Sequence, residues 1–333
     1  MTQLIEGRVE GPQANVFYGV PGVGKSIFAS GTDNPVFIGP ERNNNLHATK
    51  FPITKTHDQL MSYLREIETG KHDHKNFRTT VVDSIDMHEK VIFADICKTE
   101  PGKTMETARK GYGKAYKESA KMLVELKDGL EAIMRTKEMD VVIIGHSVKL
   151  KFNDPMIGTD YDRYEMCLHK GSKFDCNSIF VDWADCVLFL NWKTYATEDG
   201  SHAVSIGKRE ILTEYRPSHL AKNRYNFPYS IEMLDETETV KAKMKPQTYG
   251  IVQNYINEFL NSDQVVDTFQ SDFNMLVHEC TNLMNLVKDE SIKPSVESAI
   301  GAEMNNATIN PQGTLNNLKV IKERLFQIVS NQM

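Results

Sequence analysis

The stretch GVPGVGKS at residues 19–26 decides the fold of this chain, and it directly follows the apolar run NVFY at 15–18. It fits the pattern G-x-x-x-x-G-K-[ST], in which the backbone N–H groups of a glycine-rich turn wrap a phosphate. The pattern has this meaning only between a strand and a helix, and that is where it lies here. The stretch therefore predicts a phosphate-binding P-loop after the first strand of an α/β fold.

Each position of the motif has an expected role. Lys25 would reach the β- and γ-phosphates of a nucleotide, and the Ser26 hydroxyl would ligate Mg²⁺. The predicted cofactors are therefore ATP and Mg²⁺. The residues expected to contact the nucleotide are Gly19, Pro21, Gly22, Val23, Gly24, Lys25, Ser26 and Ile27.

Composition limits the class of protein. The chain has 333 residues, of which 40% are hydrophobic and 25% are charged, and these shares are typical of a globular protein. The five cysteines are an odd number and include no CxxC pair, which favours reduced thiols over a framework of disulfide bonds. We find neither an apolar run long enough to span a bilayer nor a signal peptide, and we expect a cytoplasmic protein with no membrane partner. The net charge of −6 means that any nucleic-acid contact must come from a local basic patch.

The first 245 residues alternate apolar runs with helical patterns, which predicts a mainly parallel central sheet. Further strands are expected at 35–39, 79–83, 140–145, 186–195 and 201–215, with a hairpin turn at Asp199-Gly200 and helices at 57–68 and 114–137. The stretch from Ser147 to about Asn177 is polar and aromatic, and we expect an irregular loop there.

The strand TTVVD at 79–83 ends in Asp83, which is expected to hold Mg²⁺ through water as the Walker B carboxylate. Ser84 follows it, so the acidic pair of the AAA+ class is missing. The base that activates water must then come from elsewhere, and Asp86 and Glu89 are two candidates.

From Pro246 onward the apolar residues recur only at helical spacing. This segment has ten acidic and five basic residues, so its net charge of −5 accounts for most of the net charge of −6 of the chain. We predict two domains: an ATPase core at 1–245 and an acidic helical module at 246–333.

These motifs resemble those of phage-encoded RecA-like ATPases, which are regarded as single-strand annealing recombinases related to the Rad-type recombinase core. The resemblance covers about residues 13–228 and also rests on the stretches VVDSID, GYGKAY at 111–116, VIIGHSVK, YDRYEMCLHK at 161–170, WADCVLFL and AKNRYNFP at 221–228. It implies a RecA-like P-loop NTPase core with a small C-terminal helical module. It also implies DNA-stimulated ATP hydrolysis, single-stranded DNA as a partner, a ring or filament of like subunits, and a phage protein in the cytoplasm of a bacterial host.

The resemblance also implies residue roles. The RecA-like arrangement places a glutamate just past the second strand, which makes Glu41 the expected base and leaves Asp86 and Glu89 as its rivals. It also places a polar residue that senses the γ-phosphate at the end of a strand, here His146. AKNRYNFP also resembles a segment of replicative DnaB-type helicases, so Lys222 and Arg224 would act in trans on the γ-phosphate of a neighbouring subunit. The alternatives are a solvated glutamate, a structural histidine and a basic pair on a solvated turn.

The loop at 149–178 corresponds to the DNA-facing loop of RecA-like proteins. Basic and aromatic residues alternate in it, as in proteins that bind single strands. The candidates for DNA binding are Lys149, Lys151, Arg163, Tyr164, Lys170 and Lys173. Four acidic residues dilute the charge of the loop, and a plain surface loop is the alternative.

The function expected from the resemblance is annealing or strand pairing in phage recombination. Two other classes stay open. One is a helicase-type DNA motor, and the other is a nucleotide-switched adaptor that recruits a replication or single-strand binding protein through the helical module.

Overall fold

The computed structural model describes residues 11–154, 158–171, 174–196, 203–261, 268–287, 293–306 and 311–332. The chain divides into two compact units, Met1–Asn261 and Ser262–Met333.

In the described part of the chain, nine strands form the sheet of the first unit. They are β1 (Ala14–Gly19), β2 (Pro35–Ile38), β3 (Thr49–Lys50), β4 (Thr79–Asp83), β5 (Asp140–Asn153), β6 (Asp160–Met166), β7 (Cys186–Ala196), β8 (Ala203–Leu212) and β9 (Ser230–Glu232). Their order is β3-β2-β4-β5-β1-β7-β8-β9, with β6 beside β5. From β3 to β7 in this order all neighbours are parallel, and β6, β8 and β9 are antiparallel. The predicted α/β class with a mainly parallel sheet is confirmed.

Helices cover both faces of this sheet. They are α1 (Lys25–Ser30), α2 (His57–Glu68), α3 (Ile85–Lys98), α4 (Lys114–Lys137), α5 (Cys176–Val181), α6 (Thr237–Lys241) and α7 (Thr248–Asn261). Every residue of β1 is buried, and successive side chains point to opposite faces. Val16 and Tyr18 therefore belong to a core with α2, α3 and α4, whereas Phe17 packs in a second core with α1 and α7.

Helix α7 belongs to the first compact unit, which extends to Asn261 rather than to the boundary expected at 245 and 246. The reason is burial: Tyr249, Val252 and Ile256 are at most 4% exposed within the core that contains Phe17 and Phe28. The apolar stripe of this helix looks like those of the helices that follow it, so periodicity alone does not reveal which core it joins.

The second unit consists of helices with a core of their own. They are α8 (Thr268–Leu286), α9 (Lys293–Asn306) and α10 (Pro311–Gln332). Cys280, Met284, Ile300, Leu325 and Val329 are buried together. The predicted C-terminal helices are present, and α9 was not expected because its apolar residues form no clear stripe.

The prediction of an irregular loop from Ser147 to Asn177 was wrong for most of its length. Strand β5 continues to Asn153 and pairs with the antiparallel β6, in a register that runs from Ser147 opposite Met166 to Asn153 opposite Asp160. In the extended part of β5, Val148, Leu150 and Phe152 alternate with polar residues, which is the pattern of a half-buried strand and was not used in the prediction. Strand β6 gives no such signal, because it carries charged residues on both faces. The expected turn at Asp199-Gly200 lies outside the described residues. Among the described helices, none is long and apolar enough to cross a membrane.

Candidate nucleotide-binding site

The candidate site lies where β1 and β4 end, on either side of the longer strand β5. Gly19 at the end of β1 is opposite His146 in β5, and Asp83 at the end of β4 is opposite Ile144 in β5. The P-loop and Asp83 therefore lie at the same edge of the sheet, although β5 separates their strands.

Glycines make the P-loop turn possible. Gly22 and Gly24 have φ angles of 75° and 99°, in the left-handed region that other residues rarely adopt. A Cβ atom at Gly19 would overlap the carbonyl oxygen of Leu190 in β7, so the start of the loop must also be glycine. The loop is thus held in a tight turn that ends at Lys25, the first residue of α1.

Lys25 closes over the loop that precedes it. Its Nζ donates hydrogen bonds to the carbonyl oxygens of Gly19 at 3.0 Å and Val20 at 3.1 Å, and the residue is 7% exposed. Burial lowers the pKa of Lys25, while the nearby carboxylates of Asp83 and Glu41 oppose that shift. A phosphate in the loop would supply a further negative partner for this buried cation.

Ser26 and Asp83 contact each other directly. The Ser26 hydroxyl donates to Asp83 Oδ2 at 2.7 Å, and Asn43 Nδ2 donates to the same oxygen at 3.0 Å. Burial raises the pKa of Asp83, and these two hydrogen bonds oppose the shift. A hydroxyl and a carboxylate together fit the oxygen ligands that Mg²⁺ prefers, and a cation there would favour the charged carboxylate. Asn43 was missed by the sequence analysis, because its contact with Asp83 depends on the pairing of β2 with β4.

Glu41 lies beside the Walker B position. It follows β2, the parallel neighbour of β4, and its backbone N–H donates to the carbonyl of Asp83 at 3.3 Å. Its Oε1 accepts a hydrogen bond from the hydroxyl of Ser84 at 3.1 Å, and its side chain is partly exposed. The neighbouring strand thus brings a carboxylate to the position where the acidic pair is missing. Its role as the base stays a prediction.

The rival candidate Asp86 is engaged with His146. His146 N–H lies 3.0 Å from Asp86 Oδ1, and its ring Nδ1 lies 3.1 Å from both carboxylate oxygens. Burial alone would raise the pKa of Asp86, but these hydrogen bonds outweigh it and hold the pKa below its ordinary value. His146 lies at the P-loop edge of the sheet, as expected for a sensor, and Asp86 fixes its orientation. The sensor role itself is untested.

Glu89, the other rival, contacts the backbone of His169. Both of its carboxylate oxygens accept a hydrogen bond from the backbone N–H of His169, at 3.1 and 3.0 Å. Burial raises the pKa of Glu89 to about 7, and the hydrogen bond from His169 opposes this shift. Glu89 is 4% exposed and therefore fixes the segment around His169.

Lys222 and Arg224 lie at the opposite end of β1 from the P-loop. Lys222 Nζ donates to two backbone carbonyls at the end of α5, and Arg224 forms an ion pair of 2.9 Å with Asp185. Asp185 also accepts a hydrogen bond from the N–H of Ala14, the first residue of β1. A strand of six residues spans roughly 17 Å, so neither side chain serves the nucleotide of its own chain. Their action in trans stays a prediction.

The lysines proposed for DNA binding lie on the β5–β6 hairpin or just after it. Lys149 forms an ion pair of 2.9 Å with Asp162, and Lys151 is opposite the same aspartate in the strand register. Lys170 forms an ion pair of 3.0 Å with Asp175. Lys173 lies outside the described residues.

The other two candidates for DNA contact are packed into the protein. Arg163 is 7% exposed, forms an ion pair with Glu165 and lies 3.6 Å above the ring of Phe152. Tyr164 stacks on Phe189 of β7, with ring centroids 5.2 Å apart. In this conformation neither side chain is available to a base or a phosphate.

A separate groove lies at the N-terminal end of α4 and encloses about 1090 Å³. It is lined by α4, by the residues just before it and by the segment around α5: Tyr112, Gly113, Lys114, Tyr116, Lys117, Ala120, Lys121, Val124, Glu125, His169, Gly171, Phe174, Asp175, Ser178 and Ile179. The rings of Tyr116 and His169 stack inside it, with centroids 3.9 Å apart and planes 5° apart. Part of the stretch GYGKAY at 111–116, for which the resemblance implies no role, thus forms a wall of this groove.

Taken together, the glycine turn, the buried Lys25 and the contact between Ser26 and Asp83 define a P-loop nucleotide-binding protein. A family model described as an AAA domain matches residues 12–225, well over half of the chain. The chain belongs to this family and is a P-loop AAA-type ATPase. A search of curated proteins finds no match.

Proposed function

We propose that this protein is a Mg²⁺-dependent ATPase that binds single-stranded DNA and promotes its annealing in recombination, as an oligomer. The observation that carries the proposal is the groove at the start of α4. Its walls combine cationic and aromatic side chains, the combination that suits a flexible polyanion with exposed bases.

Three lysines of α4 supply the charge of the groove. Lys114, Lys117 and Lys121 are spaced by three and four residues and therefore lie on one face of the helix. All three are exposed, and in the described part of the chain none of them forms an ion pair with a carboxylate. Such a row suits consecutive phosphates of a single strand.

Aromatic side chains supply stacking surfaces beside this row. Tyr112 is 99% exposed, so its ring is available to a base. The stacked pair of Tyr116 and His169 continues toward Phe174, whose ring centroid lies 5.7 Å from that of His169. Bases of any sequence can stack on such rings, which fits binding without sequence preference.

The groove supports DNA binding better than the hairpin does. On the hairpin, the cations of Lys149 and Arg163 are paired with Asp162 and Glu165. To bind a phosphate, Lys149 and Arg163 would have to give up these ion pairs, which reduces the net gain in free energy. Among the described residues, the three lysines of α4 in the groove have no such ion pair to give up.

Helix α3 provides a direct connection from the groove to the nucleotide site. It begins two residues after Asp83, its Asp86 holds His146, and its Glu89 holds the backbone of His169. A change at Asp83 on nucleotide binding would therefore be carried to the groove through one rigid helix. This arrangement supports stimulation of hydrolysis by DNA.

For hydrolysis, Ser26 and Asp83 would hold Mg²⁺, which supplies charge neutralisation of the phosphates when bound. Lys25 would bind the β- and γ-phosphates from within the loop. We assign Glu41 as the base that orients and deprotonates water, because it combines nearness to Asp83 with partial exposure. Lys222 and Arg224 would complete the site of a neighbouring subunit.

The test measures binding of a labelled oligo(dT) strand to the full chain with ATP and Mg²⁺, over a series of salt concentrations. Replacing Lys114, Lys117 and Lys121 by Gln should weaken DNA binding. The slope of log K against log salt should become less negative by about 2, because each phosphate that a lysine neutralises contributes about 0.7 to this slope. Lys117→Gln compared with Lys127→Gln is the matched pair, since both remove one charge from α4 and Lys127 lies outside the groove.

Tyr112→Ala gives a second readout. Its ring is almost fully exposed, so removing it should leave the fold unchanged and weaken DNA binding by about 1–3 kcal/mol if bases stack there. Unchanged binding and unchanged DNA-stimulated turnover in both the lysine and the tyrosine variants would rule out the groove.

A nucleotide-switched adaptor is the second candidate function. The helical second unit carries exposed apolar side chains, with Phe326 62% and Leu286 59% exposed, as expected for a surface that binds a partner protein. ATP turnover that single-stranded DNA does not change would favour the adaptor. Directional unwinding of a duplex would instead indicate a DNA motor.

A further inference from the structure

Arg209 lies in β8 and contacts the P-loop of its own chain. Its Nη1 donates a hydrogen bond to the carbonyl oxygen of Val23 at 3.3 Å. A Cβ atom at Gly24 would lie 2.8 Å from the same nitrogen, so the guanidinium lies directly against the Val23–Gly24 peptide. This is the part of the loop in which Gly24 adopts a left-handed conformation.

The other end of the guanidinium is anchored to the body of the domain. Arg209 Nη2 donates to the carbonyl oxygen of Leu234 at 2.9 Å, and the N–H of Leu234 donates to Thr248 Oγ1 at 3.2 Å. Thr248 is the first residue of α7, and its N–H and hydroxyl both donate to the buried carboxylate of Glu236 at 2.8 Å. Arg209 therefore joins the loop to a fixed, hydrogen-bonded frame.

We propose that Arg209 is a positioning residue for nucleotide binding in cis, which holds the Val23–Gly24 peptide in its phosphate-binding conformation. Glycines give the loop more freedom than other residues would, and that freedom must be lost when a phosphate binds. A planar guanidinium bonded to two carbonyls removes part of this freedom beforehand and adds a fixed positive charge next to the loop.

The proposal separates Arg209 from Lys222 and Arg224, which are expected to act on a neighbouring subunit. Because Arg209 acts within its own chain, a neighbour with an intact Arg209 does not compensate for its loss. The inference rests on nucleotide binding at the P-loop and is independent of any role in DNA binding.

The test compares the affinities of the full-length chain for ATP and ADP in the wild type, Arg209→Gln, Arg209→Lys and the control Lys208→Gln. The Gln variant should bind both nucleotides about tenfold more weakly, the change expected when one backbone residue must be ordered on binding. KM for ATP should rise while kcat at saturation stays close to the wild-type value. Arg209→Lys should lie in between, since one ammonium keeps the charge but cannot span both carbonyls.

Lys208 directly precedes Arg209 in β8, and its ammonium contacts Glu232 on the other face of the sheet. Lys208→Gln removes one positive charge, as Arg209→Gln does, and this variant should bind nucleotide normally. Hydrogen exchange of the amides at 23–26 in the nucleotide-free protein should be faster in Arg209→Gln. If this variant does not fold, Arg209→Lys carries the same comparison. Unchanged affinity, or a loss in kcat without a change in affinity, would overturn the proposal, whereas a wild type that binds no nucleotide would refute the P-loop site itself.

Discussion

Truncating the chain after Lys245 is expected to unfold the ATPase core, whereas truncating it after Asn261 is expected to leave the core folded. The difference between the two fragments is α7. The ring of Tyr249 in this helix lies 5.5 Å from that of Phe28 in α1 and 6.0 Å from that of Phe17 in β1. The helix thus packs directly behind the strand and helix that flank the P-loop.

The magnitude follows from burial. Tyr249, Val252 and Ile256 are 4%, 2% and 0% exposed, and each fully buried apolar side chain contributes about 1.5–3 kcal/mol. Losing all three removes roughly 4.5–9 kcal/mol, which is comparable to the total stability of about 5–15 kcal/mol of a typical domain. Removal would also expose Phe17 and Phe28 to water.

The assay is urea unfolding of the two purified fragments beside the full chain, followed by nucleotide binding. The fragment 1–261 should keep the unfolding midpoint of the core, because the second unit has its own buried cluster. Fragment 1–245 should be insoluble or unfolded without urea. In the full chain, Ile256→Ala should destabilise the core by about 2–5 kcal/mol, and the exposed Asn254→Ala should change it by less than about 0.5 kcal/mol. A folded, nucleotide-binding fragment 1–245 would refute this reasoning.

Four further predictions concern the site. Lys25→Ala should abolish nucleotide binding and keep the fold, because the Lys25 ammonium donates hydrogen bonds to two carbonyls of the loop. Near-normal ATP turnover in a folded variant would refute the catalytic role of the P-loop. Glu41→Gln should retain bound ATP and suppress hydrolysis, since the amide keeps the shape and loses the basicity; if Asp86→Asn is inactive and Glu41→Gln is not, the base is misassigned. Arg224→Ala should bind ATP yet lose turnover by on the order of 10³, and mixing it with Lys25→Ala should restore activity, so that co-assembled but inactive mixtures would exclude action in trans. The pKa of Glu89 is raised from 4.5 to about 7, so the stability that it contributes is complete below pH 4.5 and is lost as the pH rises through 7. Glu89→Gln removes this dependence, and its stability relative to the wild type should rise by roughly 2.5 kcal/mol from pH 5 to pH 8, as measured by urea unfolding; a constant difference would contradict the prediction.

The P-loop could be predicted from sequence because all of its requirements are local. The left-handed turns at Gly22 and Gly24, and the positions of Lys25 and Ser26, depend on residues within one short stretch. The burial of β1 likewise follows from its own apolar run. Asp83 was recognisable because it ends a local strand pattern, although its place at the P-loop edge of the sheet depends on the pairing of β4 with β5.

The tertiary structure alone decided which distant residues meet. Asn43 reaches Asp83 because β2 pairs with β4, and Arg209 reaches Val23 because the hairpin of β7 and β8 lies beside β1. Two such partners can be more than 180 residues apart, and a single polar side chain in a strand carries no periodic signal of its partner. The groove also arises only when α4 packs beside the segment that contains His169. Local backbone preference and hydrophobic periodicity depend on residues that are neighbours in the sequence. Contacts across a sheet depend on strand order, which is determined only when the cores on both faces of the sheet are packed.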